Sequence, residues 1–209
     1  MRLAIIGASA GIGRKCVDVA LERSHVPVTL SRSPENLPGS GIERLIGNAT
    51  KPEDLRRALT SADAVIVALG TRNSLRATTL YTDFARALLS LHQAEPICQP
   101  ILIVTGFGAG ISGNYHSLGM KLVFATLLKA IYRNKTEMEE MIAASSLRWE
   151  MVRPGVLTNA EGSGSYRVTA KYQKGMKVGK VSRADVASFL VAEAEEPRWL
   201  GQYPAICEA

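Results

Sequence analysis

A short apolar run, Leu3 to Ile6, begins almost at the first residue and opens at once onto Gly7, Gly11 and Gly13. Lys15 to Glu22 then reads as a helix. A buried strand, a glycine-rich turn and a helix form the first half of a βαβ unit, and this opening constrains the chain more than any other feature. Glycine has no Cβ, so the backbone can turn tightly and come close to a ligand. The helix start presents backbone N–H groups to an anion. The turn formed by Gly7, Ser9, Ala10, Gly11, Ile12 and Gly13 is therefore read as the pyrophosphate site of a dinucleotide. The spacing is G-x-x-x-G-x-G rather than G-x-G-x-x-G, so the flanking strand and helix carry the reading more than the glycines do. The alternative is a turn that serves the fold alone.

The remaining chain alternates strand and helix signals. Strands are expected at Pro27–Ser31, Glu43–Ile46, Ala64–Ala68, Pro100–Val104, Trp149–Val152 and Gln202–Cys207. Helices are expected at Pro52–Leu59, with Thr50 as a candidate cap, and at Thr78–Leu91, Lys121–Tyr132, Thr136–Ser145 and Asp185–Ala194. A break near Asn134 separates two of them. Residues 158–182 show little periodicity. Such alternation predicts an α/β fold, a doubly wound parallel sheet of Rossmann type with helices on both faces. At 209 residues the expectation is one domain over 1–209, with a small substrate-side elaboration around 155–182. Ligands of such sheets bind beyond the carboxyl ends of the strands. That directs attention to the loops at 7–13, 31–33, 47–50, 68–72, 105–117 and 153–165.

The second strand ends Ser31-Arg32-Ser33, where an acidic residue would hold the ribose of NAD. A guanidinium with two flanking hydroxyls suits the 2′-phosphate of NADP(H). Arg14 is a candidate second charge, with an exposed surface role as the alternative for both arginines. The net charge of +6 (25 basic, 19 acidic) suits an anionic ligand. No aromatic-basic motif accompanies it, so no nucleic-acid partner is expected. The densest basic stretch, Lys171, Lys174, Lys177, Lys180 and Arg183, is read as a solvated surface, with a phosphate- or substrate-facing patch as the alternative. No apolar run approaches the roughly 20 residues of a membrane span. Cys16, Cys98 and Cys207 and His25, His92 and His116 are scattered, so no metal site is expected and the cytoplasm is the expected compartment.

These loops resemble those of atypical short-chain dehydrogenase/reductase proteins, in the NAD(P)H-binding subgroup related to biliverdin/flavin reductases and NmrA-like proteins. The resemblance spans nearly the whole chain. Gly7 to Gly13 is similar to the family's nucleotide turn, and Gly47-Asn48-Ala49 to its Gly-Asp-(Ala/Val) stretch near the adenine. Ala68-Leu69-Gly70 ends a strand on the cofactor side. Val104-Thr105-Gly106-Phe107-Gly108-Ala109-Gly110 resembles the strand end that carries hydroxyl residues toward the nicotinamide. The stretch from Lys135 to Trp149, with Arg153-Pro154-Gly155-Val156-Leu157-Thr158, is the most specific match. Val181-Ser182-Arg183-Ala184-Asp185 resembles the late helix start, with Ser182 or Asp185 as cap.

The resemblance implies NADP(H) as cofactor and a small-molecule substrate. Three functions follow from it: an NADPH-dependent oxidoreductase that reduces a conjugated flavin, quinone or tetrapyrrole-like substrate; an NADP(H)-binding regulator or assembly factor without turnover; and, less favoured, a sugar-nucleotide epimerase-like activity. The oligomeric state stays open. Conventional members carry a Tyr-x-x-x-Lys pair, but position 131 is Ile where Lys135 would need a tyrosine. Tyr132, one residue off, is expected to point about 100° away on the helix. Gly106 replaces a second hydroxyl residue. The resemblance then implies that Lys135 binds the nicotinamide ribose, with a surface helix residue as the alternative. Thr105, Tyr115 and His116 are the remaining candidates for catalysis, and Phe107, Tyr115, Met120 and Phe124 for an apolar surface under a planar substrate.

Overall fold

The computed structural model describes residues 1–33, 35, 37–71, 77–115, 126, 128–173, 176 and 179–209. In chain order the elements are β1 (Arg2–Ile6), α1 (Gly11–Glu22), β2 (Val26–Ser31), β3 (Glu43–Ile46), α2 (Pro52–Leu59), β4 (Ala64–Val67), α3 (Leu80–Ala94) and β5 (Ile101–Val104). A 3₁₀ turn (Gly110–Tyr115), α4 (Lys129–Ala143), β6 (Trp149–Pro154), β7 (Val156–Thr158), β8 (Tyr166–Thr169), β9 (Lys180–Ser182), α5 (Arg183–Glu195) and β10 (Ala205–Glu208) follow.

Eight strands form one sheet in the order β3-β2-β1-β4-β5-β6-β10-β8, and β7 pairs with β9 in a separate two-stranded sheet. Every pairing is parallel except β10 with β8. The central strands β4 and β5 read AVIV and ILIV and are buried along their whole length, as strands covered on both faces must be. Their residues alternate between two cores. Ala4, Ile6, Val65, Val67, Ile101 and Ile103 meet α2, α3 and α4 through Leu55, Phe84, Leu88 and Ile142. Leu3, Ile5, Ile66, Leu102 and Val104 meet α1 and α5 through Cys16, Val17, Phe189 and Leu190. The strand period of two therefore builds a helix layer on each face, and each fully buried side chain of this size contributes about 1.5–3 kcal/mol. Among the described residues no helix is long and apolar enough to cross a membrane. No group of His, Cys, Asp and Glu among them is arranged to hold a metal ion.

Three local expectations are corrected. Helix α4 runs through Asn134 without a break, because the Asn134 amide is buried and engaged with α3. Its Oδ1 accepts from the Tyr81 N–H at 3.0 Å and its Nδ2 donates to Thr82 Oγ1 at 2.8 Å. Thr50 does not cap α2: the cap position is Lys51, and the Thr50 N–H donates to Asn48 Oδ1. The stretch 158–182 holds the half-exposed β8, the last residue of β7, and β9 with Val181 and Ser182 buried, short strands whose partners are distant in sequence. The expected helix start at Lys121 lies outside the described residues. Ser182 caps α5 as expected, its Oγ accepting from the Asp185 N–H at 2.9 Å. Asp185 is not itself the cap: its carboxylate accepts from the Ser182 hydroxyl at 2.7 Å and from the Gly164 N–H at 2.9 Å.

Glu150 on β6 and Glu193 on α5 are both fully buried, and Glu193 pairs with Arg198 (Nε to Oε1, 2.8 Å). Burial and then the Glu193 charge push the Glu150 carboxyl up to about 8. The folded protein thus keeps a proton that the unfolded chain releases, and stability falls as pH rises from the ordinary carboxylate range to about 8. Glu150→Gln is expected to gain stability over the unsubstituted protein as pH rises from about 5 to about 9, the difference growing to about 1–3 kcal/mol. Thermal unfolding across that range measures it. A difference that does not change with pH contradicts it.

Candidate active site

The carboxyl ends of β1, β2, β4, β5 and β6 open into one cleft of about 720 Å³. Its floor is the turn after β1. Gly7 has φ +86, and a Cβ there would lie 2.6 Å from the Ala68 carbonyl oxygen. A Cβ on Gly13 would lie 2.4 Å from the Gly7 carbonyl oxygen. These two glycines seat α1 directly on the ends of β1 and β4. Gly11 differs: it has φ +57, and the nearest atom to its Cβ would be Arg183 Nε at 3.9 Å. Gly11 lines the cleft, as do Gly7, Ser9, Ala10 and Ile12, whereas Gly13 does not. Ala10 at the N-cap makes no side-chain cap bond, so the first N–H groups of α1 are left for a ligand.

Ser31, Arg32 and Ser33 line one end of the cleft. Arg32 is exposed there. Ser31 Oγ is buried with no hydrogen-bond partner among the described residues. Asn48 and Ala49 line the same end. Asn48 is held by its own turn, its N–H donating to Asp54 Oδ2 at 2.8 Å. Ala68, Leu69 and Gly70 form the wall after β4.

At the other end Lys135 reaches in from α4. Its Nζ donates to the Thr105 carbonyl and lies 5.1 Å from the Tyr81 ring centre and 5.3 Å from that of Tyr132. Burial pulls the Lys135 ammonium down to about 8, against the opposing pull of Glu139. Tyr132 lines the cleft, which corrects the expectation that it points away. Residues three apart on a helix share a face, so Tyr132 and Lys135 are neighbours without a tyrosine at 131. Gly106 makes the room: it has φ +146, and a Cβ there would lie 2.8 Å from the Tyr132 hydroxyl oxygen. Burial and then the Glu139 charge push the Tyr132 phenol up to about 12, and burial with the neighbouring Tyr132 does the same for Tyr81. Ile131 contributes to the wall but belongs mainly to the core.

Several sequence candidates sit elsewhere. Arg14 does not line the cleft; its guanidinium pairs with Asp18 one turn along α1. Val156 is exposed at the start of β7 and also lies outside the lining, although Pro154 and Gly155 are in it. Thr105 lines the cleft, but its hydroxyl is buried and turned toward the Val152 carbonyl at 3.5 Å. Tyr115 and Phe107 pack edge-on against Tyr172, at 5.6 and 5.5 Å between ring centres, away from the cleft. His116, Met120 and Phe124 lie outside the described residues. Sequence reasoning missed Tyr81 and Asn159, which line the cleft, and Arg183 of the basic stretch lines it too, in line with the alternative of a phosphate- or substrate-facing patch. Lys171 and Lys180 of that stretch are exposed, and Lys174 and Lys177 lie outside the described residues.

A parallel sheet with a glycine turn at its first strand end, an open helix N-terminus and a cleft across the strand ends defines a dinucleotide-binding domain. A family model described as NAD(P)H-binding matches residues 7–197, and the chain belongs to that family. Among curated proteins it is 27% identical over 203 residues to the uncharacterized sugar epimerase YhfK of Bacillus subtilis (strain 168), covering 94% of this chain and 89% of that one. Among solved structures it is similar to ChuY of Escherichia coli O157:H7, an anaerobillin reductase (TM-score 0.81, 22% identity, 100% of this chain and 97% of that one). It is also similar to a short-chain dehydrogenase/reductase of Veillonella parvula DSM 2008 in complex with NADP (TM-score 0.80, 17% identity, 99% and 94%).

Proposed function

We propose that this protein is an NADPH-dependent oxidoreductase that reduces a small conjugated substrate of the flavin, quinone or linear tetrapyrrole type. The observation that carries the cofactor choice is Arg32, exposed at the cleft between Ser31 and Ser33, with the Ser31 hydroxyl unpartnered. Arg32 and the serines hold the 2′-phosphate, and the N-terminus of α1 holds the pyrophosphate. Lys135 binds and orients the nicotinamide ribose, and its low value keeps part of it neutral near pH 8. The bound reduced nicotinamide supplies the hydride. Tyr132 stays protonated throughout the neutral range and carries its O–H beside Gly106, at the Lys135 end of the cleft. The reductase named among the structural neighbours is in keeping with this reading.

NADPH is expected to bind more tightly than NADH by roughly 10- to 150-fold, the value of one charge-assisted contact of about 1.5–3 kcal/mol. Arg32→Ala is expected to remove that preference and leave NADH binding almost unchanged. Titration calorimetry measures both, and oxidation of NADPH against a panel of flavins, quinones and tetrapyrroles tests turnover. Equal affinities for the two cofactors contradict the assignment of Arg32. Tight NADPH binding with no oxidation by any acceptor favours a regulator without turnover.

A further inference from the structure

We propose that Arg183 is an anion clamp that holds the cofactor pyrophosphate from the side opposite the glycine turn. This rests on the dinucleotide reading of the cleft. Arg183 is the first residue of α5, yet its guanidinium lies over the start of α1: a Cβ on Gly11 would meet Arg183 Nε at 3.9 Å and nothing nearer. Gly11 is where a dinucleotide backbone must pass, so a group seated there touches α1 and Arg183 together.

The charge on Arg183 is not already spent. Arg14, Arg153 and Arg198 each pair with a carboxylate. Arg183 instead donates from Nη1 to the neutral Asn159 Oδ1 at 2.7 Å, and no carboxylate of the described residues pairs with it. That bond anchors one arm of the guanidinium, and the other donors of the fork remain for phosphate oxygens. The backbone beneath it is held on both sides. Ser182 caps α5, and β7 pairs with β9 through Leu157↔Val181 and Thr158↔Ser182, which sets Asn159 beside Arg183. The two-stranded sheet therefore has a purpose beyond packing. It carries an arginine from near the end of the chain back to the turn at its beginning. An arm placed in advance loses little side-chain entropy on binding.

The test is calorimetry of the full chain with NADPH, NADH and adenosine 2′-phosphate. Arg183→Gln is expected to weaken NADPH and NADH alike by roughly 10- to 150-fold, the range for one charge-assisted contact. The same variant should leave adenosine 2′-phosphate, which lacks the pyrophosphate, unchanged. Arg183→Lys should recover part of the loss. Arg32→Ala gives the opposite pattern, weakening NADPH and adenosine 2′-phosphate but not NADH. Because Arg183 is partly exposed, its Gln variant should unfold at the temperature of the unsubstituted protein. Unchanged NADPH affinity in Arg183→Gln, with a raised KM for an acidic acceptor, overturns the proposal and moves Arg183 to the substrate. Equal weakening of all three ligands also overturns it. Failure of the unsubstituted protein to bind either dinucleotide overturns the cofactor reading, and this clamp with it.

Discussion

Gly13→Val is expected to lower the unfolding temperature by about 6–20 °C, from a loss of about 3–5 kcal/mol in a chain of this length. The added Cβ would stand 2.4 Å from the Gly7 carbonyl oxygen, 2.9 Å from its carbonyl carbon and 3.2 Å from Ala8 Cα. All three are backbone atoms of the turn, so no side chain can swing aside. The start of α1 must lift off the sheet, and with it the packing of Cys16, Val17 and Ala20. Overpacking costs about 1–3 kcal/mol where neighbours can adjust, and here they cannot. Gly11→Val differs. Its space is open, so it carries mainly the strain of φ +57, about 1–2 kcal/mol. It is expected to stay folded and lose NADPH binding, because the side chain stands in the cleft. Thermal unfolding and calorimetry on the pair separate the two roles. A Gly13→Val protein that unfolds within a degree or two of the unsubstituted one contradicts the close-approach argument. A folded Gly11→Val protein that binds NADPH normally removes the turn from the cofactor site.

Arg153→Met is expected to cost about 3–5 kcal/mol, because it leaves the Glu139 carboxylate buried without its partner. Each side chain of the pair is 2% exposed. Arg153 Nη2 and Nε donate to Glu139 Oε2 and Oε1 at 2.5 and 3.2 Å. The guanidinium also donates to the Tyr172 hydroxyl at 3.3 Å and lies 4.3 Å from the Tyr203 ring centre. A Cβ on Gly110 would meet Arg153 Nη2 at 2.6 Å. The pair therefore ties β6 and α4 to the 3₁₀ turn and the Tyr172 loop. Replacing both residues with Met is expected to recover most of the loss, since buried pairs often exchange for apolar packing at little net cost. Thermal unfolding of the two single variants and the double variant completes a cycle. A single variant as stable as the unsubstituted protein contradicts the assignment. Glu139 also holds up the Lys135 ammonium, so Glu139→Met should lower the Lys135 value further.

The frame of the fold is legible in short stretches of sequence. Apolar runs such as AVIV and ILIV leave no face for water, and a glycine turn between the first strand and helix specifies how they join. These are local constraints, legible within a few residues. The same holds for Ser31-Arg32-Ser33, since a strand end projects toward the cleft whatever lies around it. Which side chains meet across the chain depends instead on the folded arrangement of distant segments. Asn134 looks like a helix breaker until Tyr81 and Thr82 supply its amide with partners. The spacing of four expected of a Tyr–Lys pair leaves Tyr132 out, yet three also shares the face, and Gly106 makes the space that admits it. Arg14, next to the turn, is turned away by Asp18 four residues on. Arg183, 172 residues from Gly11, reaches the turn because β7 and β9 pair and Ser182 starts α5 there. Sequence proximity reports local conformation, whereas charge and hydroxyl placement in a cleft depend on long-range pairing that no short window contains.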